Sequence, residues 1–289
     1  KKKILFSSEF KDLNTCDLIF ISQDVQTDSH GNSDLKSISV LIKKVLKNIK
    51  KNSILIVLSQ MKPGFIRSIK MNHKNVYYQV ETLIFGKSIR RALYPERIIV
   101  GCKDNSKSIN KKYLDYLKKF NCPIIKMNYE SAEITKISIN LLLASSVTTT
   151  NILAELCEKF SADWREILPA LRLDKRIGRF SYIKPGLGIS GGNLERDIVT
   201  TKKLFVNNSA PNLFLKGFID NSNHMKFWIK RVLNKQSILF KNPNISIGIL
   251  GATYKENTNS IKNSPILDIF KYFNNKYKLK IYEPSLKLK

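Results

Sequence analysis

A chain of 289 residues, 43% of them hydrophobic, is long enough for two domains with cores of their own, since single cores rarely grow past about 250–300 residues. It carries 50 basic against 23 acidic residues, a formal charge of +27. The lysines are strewn along its whole length, which fits a coding bias and argues against a nucleic-acid footprint.

The chain opens on "KKKILFSSEF", whose apolar stretch is too short for a signal peptide, and no run of 18 apolar residues marks a membrane helix. Both point to a cytoplasmic protein. "CDLIFISQDVQTD" (16–28) predicts a buried strand running into a polar loop, and "SDLKSISVLIKKVLKNIK" (33–50) an amphipathic helix. "SILIVLSQMKPGF" (53–65) predicts a second strand that ends in a Pro-Gly loop. "RIIVGCKD" (97–104) and "CPIIKMN" (122–128) predict two more. Strands alternating with helices give the fold class: α/β, a partial Rossmann-like, mostly parallel sheet. Ligands of such sheets lie beyond the carboxyl ends of the strands, where "SQDVQTD" and "SQMKPG" fall.

From Ser131 some thirty residues run without Gly or Pro at helical spacing, which predicts one long helix, a spine or dimerisation element. "DWREILPAL" starts a further helix at an Asp cap. The loop "KPGLGISGGNLERD" (184–197) leads into more helices, to about Leu233. A strand at 245–250, a glycine-containing loop, the helix "PILDIFKYFNN" and the strand "LKIYEPS" form a closing βαβ unit. Three regions are expected: 1–128, a Rossmann-like domain lacking its first βαβ phosphate loop; 129–235, a helical central region; and 236–289, the start of a second Rossmann-like domain. The sequence thus reads as a segment truncated at both ends.

Four cysteines (Cys16, Cys102, Cys122, Cys157) and three histidines (His30, His73, His224) are scattered without CxxC spacing, which argues against a metal centre and against a disulfide framework. Cys16, Cys102 and Cys157 sit among apolar neighbours and read as buried thiols.

Six stretches in register resemble the UDP-glucose/GDP-mannose dehydrogenase family. "CDLIFISQDVQTD" is similar to its strand with a Val-Pro-Thr loop, and "LSQMKPGF" to its Ser-Thr-Val-Pro-Pro-Gly loop. "YYQVETLIFGKSIRRALYPERIIVG" resembles the segment that ends Pro-x-Arg-Ile-Val-Val-Gly. "SAEITKISIN" resembles the Ala-Glu-x-x-Lys-x-x-x-Asn helix, "RLDKRIG" the Asp-x-Arg-Ile-Gly turn, and "GILGATYKENTNSIKNSP" the loop of the third domain.

The resemblance implies oxidation of the C6 hydroxyl of a nucleotide sugar, with NAD as cofactor and a homodimer formed through the long helix. It makes Lys136 the cation beside the developing alkoxide. Asn140, one turn on, holds a shared water, and Asp197 supports the base. Glu81 keeps one of two glutamates. Gln60, Pro63, Gly64 and Lys255 fall in the cofactor loops; Arg176, Gly186, Gly188, Gly191 and Gly192 fall in the sugar site, with Arg176 reaching across the dimer. The departures are equally specific. Asn193 stands where the family has its nucleophilic cysteine, and an amide cannot form the thiohemiacetal that precedes the acid. Phe85 replaces the other glutamate, Gln60 a threonine and Arg196 a lysine, while Asn259, Ser260 and Lys262 replace Asp-Asp-x-Arg. The expectation is a nucleotide-sugar dehydrogenase without the thioester route. The alternative is a non-catalytic nucleotide-sugar-binding protein on the same scaffold.

Overall fold

The computed structural model describes residues 4–26, 28, 33–84, 86–235, 244–255, 258–261, 263–274 and 277–286. His30, Phe85 and Lys262 lie outside them. The chain divides into two compact units, Lys1–Ser138 and Ile139–Lys289.

In the first unit the strands β1 (Leu18–Ile21), β2 (Ile54–Val57), β3 (Val76–Gln79), β4 (Ile98–Cys102) and β5 (Ile124–Asn128) form one sheet in that order. β2 is buried on both faces, as a strand with helices above and below must be. Leu55 and Val57 pack with Ile38, Ile42 and Val45 of the helix α1 (Leu35–Asn48), while Ile54 and Ile56 share the opposite core with Tyr113 and Leu117. These last two belong to α4 (Lys111–Lys118). The two-residue period of the strand therefore sorts its side chains between two helical layers. Asp34 caps α1, accepting from the N–H groups of Lys36 and Ser37 at 3.0 and 3.3 Å. Two short helices, α2 (Phe65–Ser68) and α3 (Ser88–Leu93), sit in the connections that follow β2 and β3.

The sheet is mostly parallel, as expected, with one antiparallel junction. β1, β2 and β3 are parallel, as are β4 and β5, but β3 and β4 are antiparallel, with Tyr78 opposite Gly101. Parallel neighbours need a crossover element packed on the sheet, and α3, the helix between β3 and β4, buries none of its residues. Strand β3 itself was not foreseen. Of the three thiols expected to be buried, Cys102 and Cys157 are; Cys16 is only half-buried.

The long helix α5 (Tyr129–Phe160) leaves the first unit and enters the second. Its length and a mean hydropathy of 1.4 over 18 residues would let it cross a bilayer, although no unbroken apolar run announced this. Asn140 and Asn151 are buried along it and hydrogen-bonded to protein groups, which marks a helix packed in protein. The second unit continues with α6 (Trp164–Leu173), α7 (Asn193–Lys202), α8 (Ala210–Lys226) and α9 (Trp228–Lys235). It ends in the parallel βαβ unit β6 (Ser246–Leu250), α10 (Pro265–Phe273) and β7 (Lys278–Tyr282). Ala144 and Val147 of α5 pack in one core with Ile189, Ile198, Leu215 and Phe218. Asp163 caps α6 as expected, accepting from the Arg165 N–H at 2.8 Å.

Candidate active site

The loop that begins at Lys184 is shaped by two glycines. Gly188 has φ +86°, and a Cβ there would lie 2.6 Å from the Ser222 carbonyl oxygen. Gly191 has φ +81°, and its Cβ would come within 3.0 Å of the Tyr254 ring. Left-handed backbone and close approach together admit only glycine. Side chains then pin the loop: the Gly186 N–H donates to Asn151 Oδ1 at 2.8 Å, and the Ile189 N–H to Ser222 Oγ at 2.9 Å. A Cβ on Gly186 would meet nothing within 4 Å, and Gly192, at φ −98°, needs no left-handed backbone.

Asn193 is the first residue of α7 and is exposed. One turn later the helix turns inward with Arg196, Asp197 and Ile198. Asp197 is 2% exposed and accepts a hydrogen bond from Asn140 Nδ2 at 2.5 Å; Asn140 is itself 6% exposed. Arg196 Nε lies 3.5 Å from the other Asp197 oxygen. A carboxylate at this depth is tolerated only when amide and guanidinium groups meet its charge. Of the three residues expected to work on the sugar hydroxyl, Asn140 and Asp197 are thus in direct contact. Lys136 lies one helical turn before Asn140 on α5, in the stretch that closes the first unit.

The remaining predicted positions fall as follows. Glu81 turns back on its own loop, where Oε1 accepts from the N–H groups of Thr82 and Leu83 at 2.7 and 3.1 Å. Gln60, Pro63 and Gly64 occupy the loop after β2, with Gly64 at φ +78°. Arg176 is exposed and pairs with Asp174 at 2.6 Å, and this bond holds the Asp174 carboxyl below its usual range. Lys255 stands 5.6 Å from the centre of the Tyr254 ring, and partial burial pulls its ammonium pKa down. Among the described residues no group of three His, Cys, Asp or Glu is placed to hold a metal ion.

Several residues that shape the site had no role assigned in the sequence reading. Glu133 is wholly buried and accepts from the Gly64 and Ile66 N–H groups at 2.6 and 2.9 Å, fixing the loop after β2. Desolvation pushes its carboxyl above the usual glutamate range, against those hydrogen bonds. Asn263, at φ +53°, donates to Glu195 Oε2 at 2.6 Å and to the Gly191 carbonyl at 3.2 Å. Ser190 Oγ donates to the Tyr254 carbonyl at 3.1 Å. The closing βαβ loop is thereby tied to the glycine loop. The closing loop is in turn held by Glu283, whose pKa is lowered to about 2 by the N–H groups of Ala252, Ser285 and Thr253. One signal for Glu133 and Asn151 was available. With Asn140 they recur at heptad-like spacings of 7 and 11 that keep to one face of α5, a polar stripe where an amphipathic helix would bury apolar residues.

Two models of one family match the chain. The NAD binding domain of the UDP-glucose/GDP-mannose dehydrogenase family matches residues 1–119, and the family's central domain matches residues 130–223. The UDP-glucose 6-dehydrogenase of Campylobacter jejuni is 33% identical over 263 residues, covering 89% of this chain and 64% of that protein. The Rickettsia prowazekii UDP-glucose 6-dehydrogenase is 29% identical, covering 94% and 63%. The chain therefore spans a little under two thirds of the length of these curated relatives. A UDP-glucose dehydrogenase structure from Pyrobaculum islandicum superposes with a TM-score of 0.84 at 22% identity, over 96% of this chain and 67% of that one. The UDP-D-ManNAc dehydrogenase from Pyrococcus horikoshii gives 0.80 at 18%, over 97% and 68%. Both show the same fold.

Proposed function

The chain belongs to the UDP-glucose/GDP-mannose dehydrogenase family, and from that premise we propose that it serves the NAD-dependent oxidation of a nucleotide sugar, in the cytoplasm and for polysaccharide biosynthesis. The observation that supports this reading best is the buried Asn140–Asp197 pair in the same unit as the constrained glycine loop. Burying a hydrogen-bonded carboxylate costs stability that a purely structural core would avoid. For that reason the catalytic reading is favoured over a non-catalytic sugar-binding protein.

The loop after β2 suits a dinucleotide. It leaves the carboxyl end of a strand that is parallel to both its neighbours, and the space over Gly64 is open to 4 Å. Gln60, Pro63 and Gly64 would hold NAD, which accepts the hydride when bound. The chain's own residues do the rest. Lys136 stabilises the oxyanion that forms as the hydroxyl loses its proton. Asn140 holds the water that takes this proton, and Asp197 keeps that water basic. Glu81 orders its own loop through the Thr82 and Leu83 N–H groups, and the glycines at 186, 188, 191 and 192 let backbone approach the sugar. Arg176 reaches the nucleotide of a second copy in a homodimer; the exposed apolar side chains Leu142, Leu156 and Phe160 on α5 support such an interface.

The chemistry then stops one step early. Asn193 offers no thiolate to add to the aldehyde, so no thioester forms and no acid is released from one. The test is incubation with NAD and a panel of UDP- and GDP-sugars, reading NADH and trapping carbonyl product. The expected result is NADH with a sugar aldehyde, or a ketone from a secondary alcohol, slowed at least about 100-fold by Asp197→Asn. Tight sugar binding without NADH would replace this reading with that of a binding protein.

A further inference from the structure

The second unit contains a cavity of about 320 Å³ with an apolar lining, bounded by α5, the start of α6, the end of α8 and the start of α9. Its walls include Trp164, Trp228, Met225 and Leu187, with Pro185 and Gly186 beside Leu187. The volume is that of a small-molecule site, and the lining is that of one that holds an apolar body. Two carboxylates, Glu155 and Glu158, break the apolar surface. They are not equivalent. Glu155 is neutralised by Arg231 at 3.3 Å and bonded to His224 at 2.8 Å. Glu158, which is exposed, accepts from the Trp228 indole N–H at 2.8 Å, a neutral donor, and pairs with no cation among the described residues.

We propose that this cavity, ringed by two indoles and carrying the Glu158 carboxylate, is a binding site for a small organic cation, an amine or quaternary ammonium on an apolar body. Tryptophan faces attract such cations, and an adjacent carboxylate completes the charge match. The acidic wall excludes anions of the same shape. Pro185, Gly186 and Leu187 make the glycine loop one wall of the cavity, so an occupant bears directly on the segment that continues to Asn193. Nothing in this inference depends on the dehydrogenase reading.

Trp164 and Trp228 are the only tryptophans of the chain, so tryptophan emission reports this cavity and nothing else. The experiment titrates the protein with benzyltrimethylammonium, with uncharged benzyl alcohol and with anionic phenylacetate. Saturable quenching by the ammonium ion is expected, with no saturation by phenylacetate. Glu158→Gln keeps the acceptor for Trp228 and removes the charge; it should weaken the cation about tenfold while leaving benzyl alcohol unchanged. Ala154→Phe places a ring in the cavity and should abolish the response. Three results would overturn the proposal: no saturable change, equal affinity for the alcohol and the cation, or a Glu158→Gln titration identical to that of the parent. A fourth is emission that shifts with protein concentration before any probe is added, which would make a second copy of the chain the occupant.

Discussion

At the scale of single residues, the site rests on charges buried in protein, Asp197 and Arg196. Asp197 is held by Asn140 and faces Arg196, so cutting it back removes the acceptor of a buried amide and one partner of a buried guanidinium. Asp197→Ala is expected to cost about 3–5 kcal/mol in urea denaturation. In a cycle with Asn140→Ala, the two changes should fall short of additivity by at least about 1 kcal/mol. Glu133 gives a pH signature of opposite sign to the usual carboxylate. Its folded pKa is raised above the ordinary 4.5, so the fold prefers the protonated form. The stability it contributes is complete below the unfolded pKa and is lost as pH rises through the folded one. Glu133→Gln should flatten that decline in denaturation midpoints measured across the acid range; a decline that persists unchanged would assign it to another group.

At the scale of elements, the glycine loop separates positions that need glycine from those that merely have it. Gly188→Ala must place a Cβ 2.6 Å from the Ser222 carbonyl at φ +86° and should destabilise by about 2 kcal/mol or more, whereas Gly186→Ala should be close to neutral. Thermal melts of the two variants check the contrast. Much of this architecture was legible in the sequence. Ile54–Val57 announced a strand, Asp163 announced its helix, and α5 was visible as a long run without Gly or Pro. What was not legible depended on partners distant in sequence. Val76–Gln79 is short, and its pairing turns on the chain's return at β4. The Asn263 bond to Glu195 joins residues whose types alone predict only solvated side chains. Asn140 and Asp197 were chosen through the family resemblance, and only the folded chain brings their side chains into contact.

At the scale of the whole molecule, a charge of +27 spread over two units should draw the protein to any polyanion at low salt. Retention on DNA is expected to vanish between about 50 and 200 mM salt without sequence preference, as counterion release dictates. Persistent binding at the higher salt would restore nucleic acid as a partner. The central claim lies elsewhere, in the amide that stands at the head of α7. The measurement that tests it most directly counts NADH formed per nucleotide sugar consumed, for the protein and for Asn193→Cys. One NADH per sugar is predicted for the protein, rising towards two when the thiol is supplied. Two per sugar with Asn193 in place, together with a uronic acid product, would contradict it.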